Sequence, residues 1–451
     1  MSLRALTSSS FLRNVTVVMS GSAAAQVLSY ALMPIIARLY SPSDFGLFGS
    51  FQAIAMVIAA AVTLQYSQAL LMPKGHDDAA NLMAVSFLSV LFVACFCALL
   101  VFVFRDATLR LLSLQRMSSL AWILPVAVAV TGANQTLQAW CIRRKAFTST
   151  SVSQVVRTVA ASTVQIGSGL VHIGSAGLIG GAIIGDTGAS GNLMRLVILR
   201  DRNIILSALG WTRMRKLAHE YRDFAFYSTP QNVVYYVSQG IPVIILAHFF
   251  GVAVAGLYTL GLRMTQTPMA LIRTAVYQVL IQKLSESHNL GNELHPLFVK
   301  STIMLAAVVV LPAIIVFISG PPLFGLILGK KWFAAGEYAR WLVLLMIPWF
   351  CNIPGSILAR VLKQQRNLFM LEVATLVCTA TALLVGALFL SPLGTVILSA
   401  SVGALAYIYL IAWMERLSFR HDRETKLAKG KGETGRGESL REVVRLLLSI
   451  G

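Results

Sequence analysis

Apolar residues in this chain come in long blocks separated by short polar turns. A helix needs about 20 predominantly apolar residues to cross a bilayer. Blocks of that length predict spans at 15–36, 45–66, 80–104, 120–140, 150–172, 176–198, 224–249, 252–281, 298–319, 340–362, 368–390 and 393–414. Helix-breaking signals stand between several of them: SPSD at 41–44, MPKG at 72–75, GPP at 320–322 and SPLG at 391–394. The pattern predicts an all-α polytopic membrane protein of about twelve transmembrane helices.

Composition agrees with that reading. Of 451 residues, 57% are hydrophobic and 12% charged, against about 25% charged in soluble domains. The mean hydropathy is +0.74. A net charge of +19 in a soluble protein would suggest nucleic acid. Here the basic residues sit mostly between the apolar blocks, so membrane lipids are the expected partner and nucleic acid is not. With a cytoplasmic N-terminus, 25 of the 37 lysines and arginines fall inside and seven outside. That bias selects a multi-pass chain with both termini cytoplasmic. The first apolar block is long enough to span and reads as a retained helix, not a cleaved signal. The five cysteines show no metal-site or CxxC spacing, so neither a disulfide framework nor a metal site is expected.

The longest internal polar stretch, 200–223, divides the spans six and six. The expected organisation is an N-terminal lobe at 1–199, a cytoplasmic basic linker at 200–223, a C-terminal lobe at 224–414 and a basic cytoplasmic tail at 415–451. The tail is expected to be solvated, aided by attraction to anionic lipid. An offset of 210 residues aligns the halves without gaps. Gly46-Leu47 falls on Gly256-Leu257, Gln68 on Gln278 and Leu70 on Leu280, with seven of 37 positions identical over 35–71. Both halves start on the same side, so the repeat is parallel. Two six-helix bundles with a substrate site between them is a common transporter plan.

Charges inside the membrane are costly and mark cavities or ion pairs. Five arginines fall within spans: Arg157, Arg195, Arg263, Arg273 and Arg360. Arg263 lies near the midplane of the eighth span, where it cannot easily reach water by snorkelling, and a cavity role is expected for it. Arg157 and Arg273 are open between cavity and structural roles. Pro268, between Arg263 and Arg273, predicts a kink. Arg195 and Arg360, near span ends, read as snorkelling anchors. Asp186 is the one acid placed deep. It could relay protons or ions, or neutralise an arginine such as Arg157. The interior is cationic on balance, which suits an anionic substrate. Most tryptophans lie near span ends, as an interfacial belt would place them. No nucleophile elbow, HExxH or nucleotide-binding motif is present. The chain is therefore not expected to be an enzyme or to hold a cofactor. Active transport would draw on an H+ or Na+ gradient or on the substrate's own gradient.

Particular stretches also carry a family resemblance. Gly21-Ser22-Ala23, the run from Pro34 to Phe48 (PIIARLYSPSDFGLF), Gln68-Ala69-Leu70-Leu71-Met72-Pro73 with Asp77-Asp78-Ala79, and Ala255-Gly256-Leu257-Tyr258 resemble the polysaccharide-biosynthesis, O-antigen flippase (Wzx-like) branch of the multidrug/oligosaccharidyl-lipid/polysaccharide (MOP) exporter superfamily. The resemblance spans roughly 15–415. It implies a MATE-like fold of two six-helix lobes around a central cavity. It also implies translocation of undecaprenyl-diphosphate-linked oligosaccharide, an O-antigen (lipopolysaccharide) or exopolysaccharide repeat unit, across the bacterial inner membrane. Polysaccharide polymerase or assembly proteins would be partners. Family cavities are cationic, and by placement Arg157, Arg263 and Arg273 would be the matching charges. Two alternatives stand beside it: an ion-coupled multidrug exporter of the same superfamily, and a membrane glycosyltransferase or polymerase of the same pathway.

Overall fold

A computed structural model describes residues 9–104 and 122–448. Arg4, Arg105, Arg110 and Arg116, used above to orient the chain, lie outside the described residues. Among the described residues every regular element is helical. The long helices are α1 (Ser9–Leu39), α2 (Pro42–Ala61), α3 (His76–Val103), α4 (Ile123–Arg143), α5 (Phe147–Leu170) and α6 (Ser175–Ala208). A short helix α7 (Trp211–Glu220) precedes α8 (Thr229–Phe250), α9 (Val252–Asn289) and α10 (His295–Leu328). Then come α11 (Phe333–Cys351), α12 (Ile353–Val361), α13 (Gln365–Phe389) and α14 (Pro392–Leu448). With α11 and α12 counted as one interrupted span, each predicted span has its own helix.

Seven of these segments are long and apolar enough to cross a membrane, from α2 at Pro42–Ala61 to the start of α14 at Pro392–Thr425, and α1 adds the apolar stretch Ala23–Leu39. The chain is a multi-pass membrane protein. Helices α4, α5, α6 and α9 have 21, 24, 34 and 38 residues, enough for a bilayer about 30 Å thick at 1.5 Å per residue. Their sequences are more polar, and α5 and α9 carry Arg157, Arg263 and Arg273, discussed below.

Helix starts follow local chemistry. Ser41 caps α2 with a capping box: its side chain accepts from the Asp44 backbone N–H, and Asp44 accepts from the Ser41 N–H. Pro42 then occupies the first turn, where no N–H is required. Gly251, at φ +89°, supplies the break between α8 and α9.

The chain divides into two compact units. The first comprises Met1–Leu271, Val316–Leu342 and Ala380–Ser399; the second comprises Ile272–Ile315, Val343–Thr379 and Ala400–Gly451. The division cuts α9, α10, α11, α13 and α14, and in α9 it falls about one turn past Pro268.

In the first unit Trp332 is fully buried, packs edge-on against Phe45 with ring centroids 5.1 Å apart, and donates its indole N–H to the Ala37 carbonyl at 2.7 Å. Trp140 is equally buried and donates to Asp201 at 2.9 Å. The interfacial reading fails for these two, because each indole N–H has an internal acceptor and needs no water.

The 210-residue offset reappears as a packing contact. A Cβ on Gly46 would run into the Val252 carbonyl oxygen, and one on Gly256 into the Pro42 carbonyl oxygen. Pro42 and Val252 are themselves 210 apart. Thus α2 and the first half of α9 cross through the same two positions, related by an approximate two-fold, and only glycine lets the backbones approach so closely.

In the second unit the basic tail begins as a docked element. Asp422 accepts from the backbone N–H groups of Leu294 at 2.9 Å and His295 at 2.8 Å, capping α10. Helix α14 runs on from the last span to Leu448 without a break. The expectation of a wholly solvated tail is corrected at this point, because Asp422 and Ser418 are buried.

Candidate functional site

The site is a cavity of about 730 Å³ within the first unit. Helices α1, α2, α5, α8 and α9 line it, with Ala182 from α6. Each helix contributes residues at helical spacing, so one face of each is turned inward. From α5 these are Gln154, Arg157, Thr158, Ala161, Ser162 and Gln165. From α9 they are Thr259, Leu262, Arg263 and Gln266. On α2 and α9 the lining starts at Phe48 and Thr259, just beyond the Gly46–Gly256 crossing, which closes the two helices against each other there.

The lining is polar without being acidic. It holds six glutamines: Gln26, Gln52, Gln154, Gln165, Gln239 and Gln266. Gln165 is spent on structure, donating to the Leu178 carbonyl at 3.1 Å. Ser29, Thr158, Ser162 and Thr259 add hydroxyls, and Tyr235 and Tyr236 add rings set edge-to-face 5.2 Å apart. Arg157 and Arg263 are the charged residues of the lining, and no carboxylate lines it.

The two arginines are held differently. Arg157 pairs through Nε with Asp186 of α6, and Asp186 also accepts from Thr131 of α4 at 3.3 Å. The Arg157 side chain is 42% exposed and that of Asp186 15%, so the carboxylate lies behind the arginine and away from the cavity. Arg263 is half-buried and is in none of the ion pairs among the described residues. It also lines a smaller adjoining cavity of about 450 Å³. Charge therefore balances at Arg157 and Asp186, and Arg263 leaves the cavity net positive.

Arg273 belongs to the second unit, where its guanidinium lies 4.4 Å from the centroid of the Trp349 ring. Arg360, also there, donates to the Tyr277 hydroxyl at 2.7 Å. Arg195 is exposed. The structure thus brings Arg157 and Arg263 to one cavity, places Asp186 behind Arg157 and outside the lining, and seats Arg273 on an aromatic ring. Sequence reasoning missed the glutamines. The signal available was the stripe 154, 157, 158, 161, 162, 165, an i, i+3, i+4 polar face within a predicted span.

A family described as "Polysaccharide biosynthesis protein" matches residues 35–337. No curated protein matches the sequence. Solved structures share the fold at low identity. A multidrug resistance MATE family transporter of the MOP superfamily, in an inward-facing conformation, aligns with TM-score 0.69 and 13% identity, over 88% of this chain and 96% of that one. The lipid II flippase MurJ, in an inward closed conformation, gives 0.71 and 11%, over 91% and 90%. A MOP superfamily transporter from Pyrococcus furiosus Vc1, described as having a binding pocket of reverse polarity, gives 0.53 and 11%, over 90% and 94%.

Proposed function

Because the chain belongs to the polysaccharide biosynthesis protein family, we propose that it is a flippase for lipid-linked oligosaccharide. The cargo is an undecaprenyl-diphosphate-linked O-antigen or exopolysaccharide repeat unit. It moves from the cytoplasmic to the periplasmic leaflet of the bacterial inner membrane by alternating access, with both termini of the protein cytoplasmic. An H+ or Na+ gradient, or the cargo's own gradient, drives it, and polymerase or assembly proteins take up the product.

The observation that carries this reading is the cavity chemistry. Amide side chains both donate and accept, as sugar hydroxyls do. Gln26, Gln52, Gln154 and Gln266, whose side chains make no hydrogen bond among the described residues, therefore suit a glycan. Four hydroxyls suit it too, as do Tyr235 and Tyr236, the first of which accepts from Gln239 at 3.3 Å. The volume of about 730 Å³ falls within the roughly 300–1,000 Å³ of ligand pockets. Arg263, in no ion pair among the described residues, suits a phosphate oxygen on the same cargo. A cationic drug would want a carboxylate, and Asp186 is already committed to Arg157. A glycosyl-transferring site would want an acid or a base, and the lining offers neither.

The test is depletion of the protein in cells that make a surface glycan. Lipid-linked repeat units should accumulate at the cytoplasmic leaflet and the surface glycan should disappear. Unchanged surface glycan together with new sensitivity to cationic drugs would overturn the proposal in favour of a multidrug exporter.

A further inference from the structure

A second basic site lies outside the cavity, on the segment between α6 and α8. The short helix α7 there is amphipathic. Leu217 is buried, and Met214, Ala218 and Tyr221 pack with it against the cluster containing Leu70, Leu82 and Trp140. The helix is pinned in place by polar contacts as well. Fully buried Asn81 donates to the Ala208 carbonyl at 2.8 Å and accepts from the Gly210 N–H at 3.0 Å, fixing the turn between α6 and α7. Tyr66 donates its hydroxyl to the Ala218 carbonyl at 3.0 Å. Arg213 is paired with Asp78 at 2.6 Å.

With Arg213 neutralised and the apolar face docked, the remaining basic residues converge. Arg215, Lys216, His219 and Arg222 line an open groove of about 770 Å³ that Phe226 completes. The acids nearby in sequence, Glu220 and Asp223, are exposed and do not line it. Trp211, Phe226 and Tyr227 flank it with 72%, 69% and 74% of their surfaces exposed. Large rings are left bare where they meet the headgroup level of a bilayer, and clustered Lys/Arg beside them bind anionic headgroups.

We infer that this groove is a binding site for the phosphate of an anionic phospholipid, with Arg215, Lys216 and Arg222 holding the headgroup and Trp211, Phe226 and Tyr227 seated among the lipids around it. The site is independent of the transport reading, since it shares no residue with the cavity.

The full chain purified in neutral detergent is titrated with phosphatidylglycerol, with phosphatidylcholine, and with inorganic pyrophosphate, and bound lipid is counted by native mass spectrometry. Phosphatidylglycerol should bind saturably, and neither of the others should compete at equal concentration. Each basic residue removed should weaken binding about fivefold, and the triple variant Arg215→Gln/Lys216→Gln/Arg222→Gln about a hundredfold. Should the triple variant fail to fold, the single variants carry the same test, with Arg213→Gln as a control that breaks the Asp78 pair instead. Equal binding by the basic-residue variants would overturn the site. Displacement of the lipid by pyrophosphate would overturn the assignment to a phospholipid and make the groove a site for soluble or cargo phosphates.

Discussion

Helix α9 treats its two arginines in opposite ways. Arg263, in the part assigned to the first unit, faces a polar cavity with no counter-ion among the described residues. Arg273, ten residues on and in the second unit, lies against the face of Trp349. A cation over an indole face is stabilised by about 0.5–2 kcal/mol, depending on desolvation. That energy is spent whether or not a ligand is present. An arginine at membrane depth that is in no ion pair among the described residues keeps its hydrogen-bonding capacity for a ligand. The difference teaches that depth in the bilayer does not by itself identify a binding arginine. What identifies it is the absence of a protein partner.

The largest expected effect breaks this comparison at its functional end. Arg263→Ala should reduce glycan export by about thirtyfold or more, the scale of removing one partner from a desolvated charge pair. Protein abundance in the membrane should stay near normal. Arg273→Ala should do the reverse, lowering thermal stability while export per folded molecule is kept. Export assays normalised to membrane-extracted protein measure both. Full export by Arg263→Ala, or a specific export defect in Arg273→Ala, would reverse the roles assigned to them.

A smaller effect is expected where α2 and α9 cross. Gly46→Ala and Gly256→Ala each place a methyl against a backbone carbonyl oxygen. Overpacking of this kind costs about 1–3 kcal/mol. Because the two contacts are equivalent under the 210-residue offset, the two variants should lose similar stability in a thermal melt. The crossing also closes α2 against α9 just beyond the cavity lining, so both variants should increase labelling of a cysteine placed at Thr259 by a membrane-impermeant thiol reagent. Loss in one variant only would show that the crossing is not two-fold.

Much of this was legible in the chain. The apolar blocks gave each long helix, because a bilayer enforces both length and apolarity. The repeat was legible as a weak identity, and Gly46 and Gly256 were among its matches. The reason for those glycines was not legible, since a close backbone approach leaves no periodic signature. Arg263 was legible from its depth. Arg273, open to a cavity role by the same rule, has Trp349 as its partner, 76 residues away in sequence, which no local pattern reveals. The glutamines come from α1, α2, α5, α8 and α9, mostly one per helix, and became a site only when five helix faces were brought together. The burial of Trp332 and Trp140 was not legible, because their acceptors, Ala37 and Asp201, are distant in sequence.

The smallest expected effect sharpens the comparison by turning a paired arginine into a free one. Asp186→Asn removes the counter-ion of Arg157 and leaves the amide able to keep the Thr131 contact. The Arg157 side chain is 42% exposed, so water can take over its solvation and the stability cost should be at most about 1 kcal/mol. The cavity would then hold two free arginines. If Asp186 acts as a neutraliser, the variant should bind an anionic lipid-linked diphosphate a fewfold more tightly, and export should continue. Arg157→Gln/Asp186→Asn should restore the original affinity, since it removes both charges and returns the cavity to the single charge of Arg263. Binding measured on the purified variants against export in cells separates this from the other role open to Asp186. Export lost in Asp186→Asn, with stability and binding intact, would make Asp186 the group through which an ion gradient drives transport, and its pair with Arg157 a resting state of that cycle.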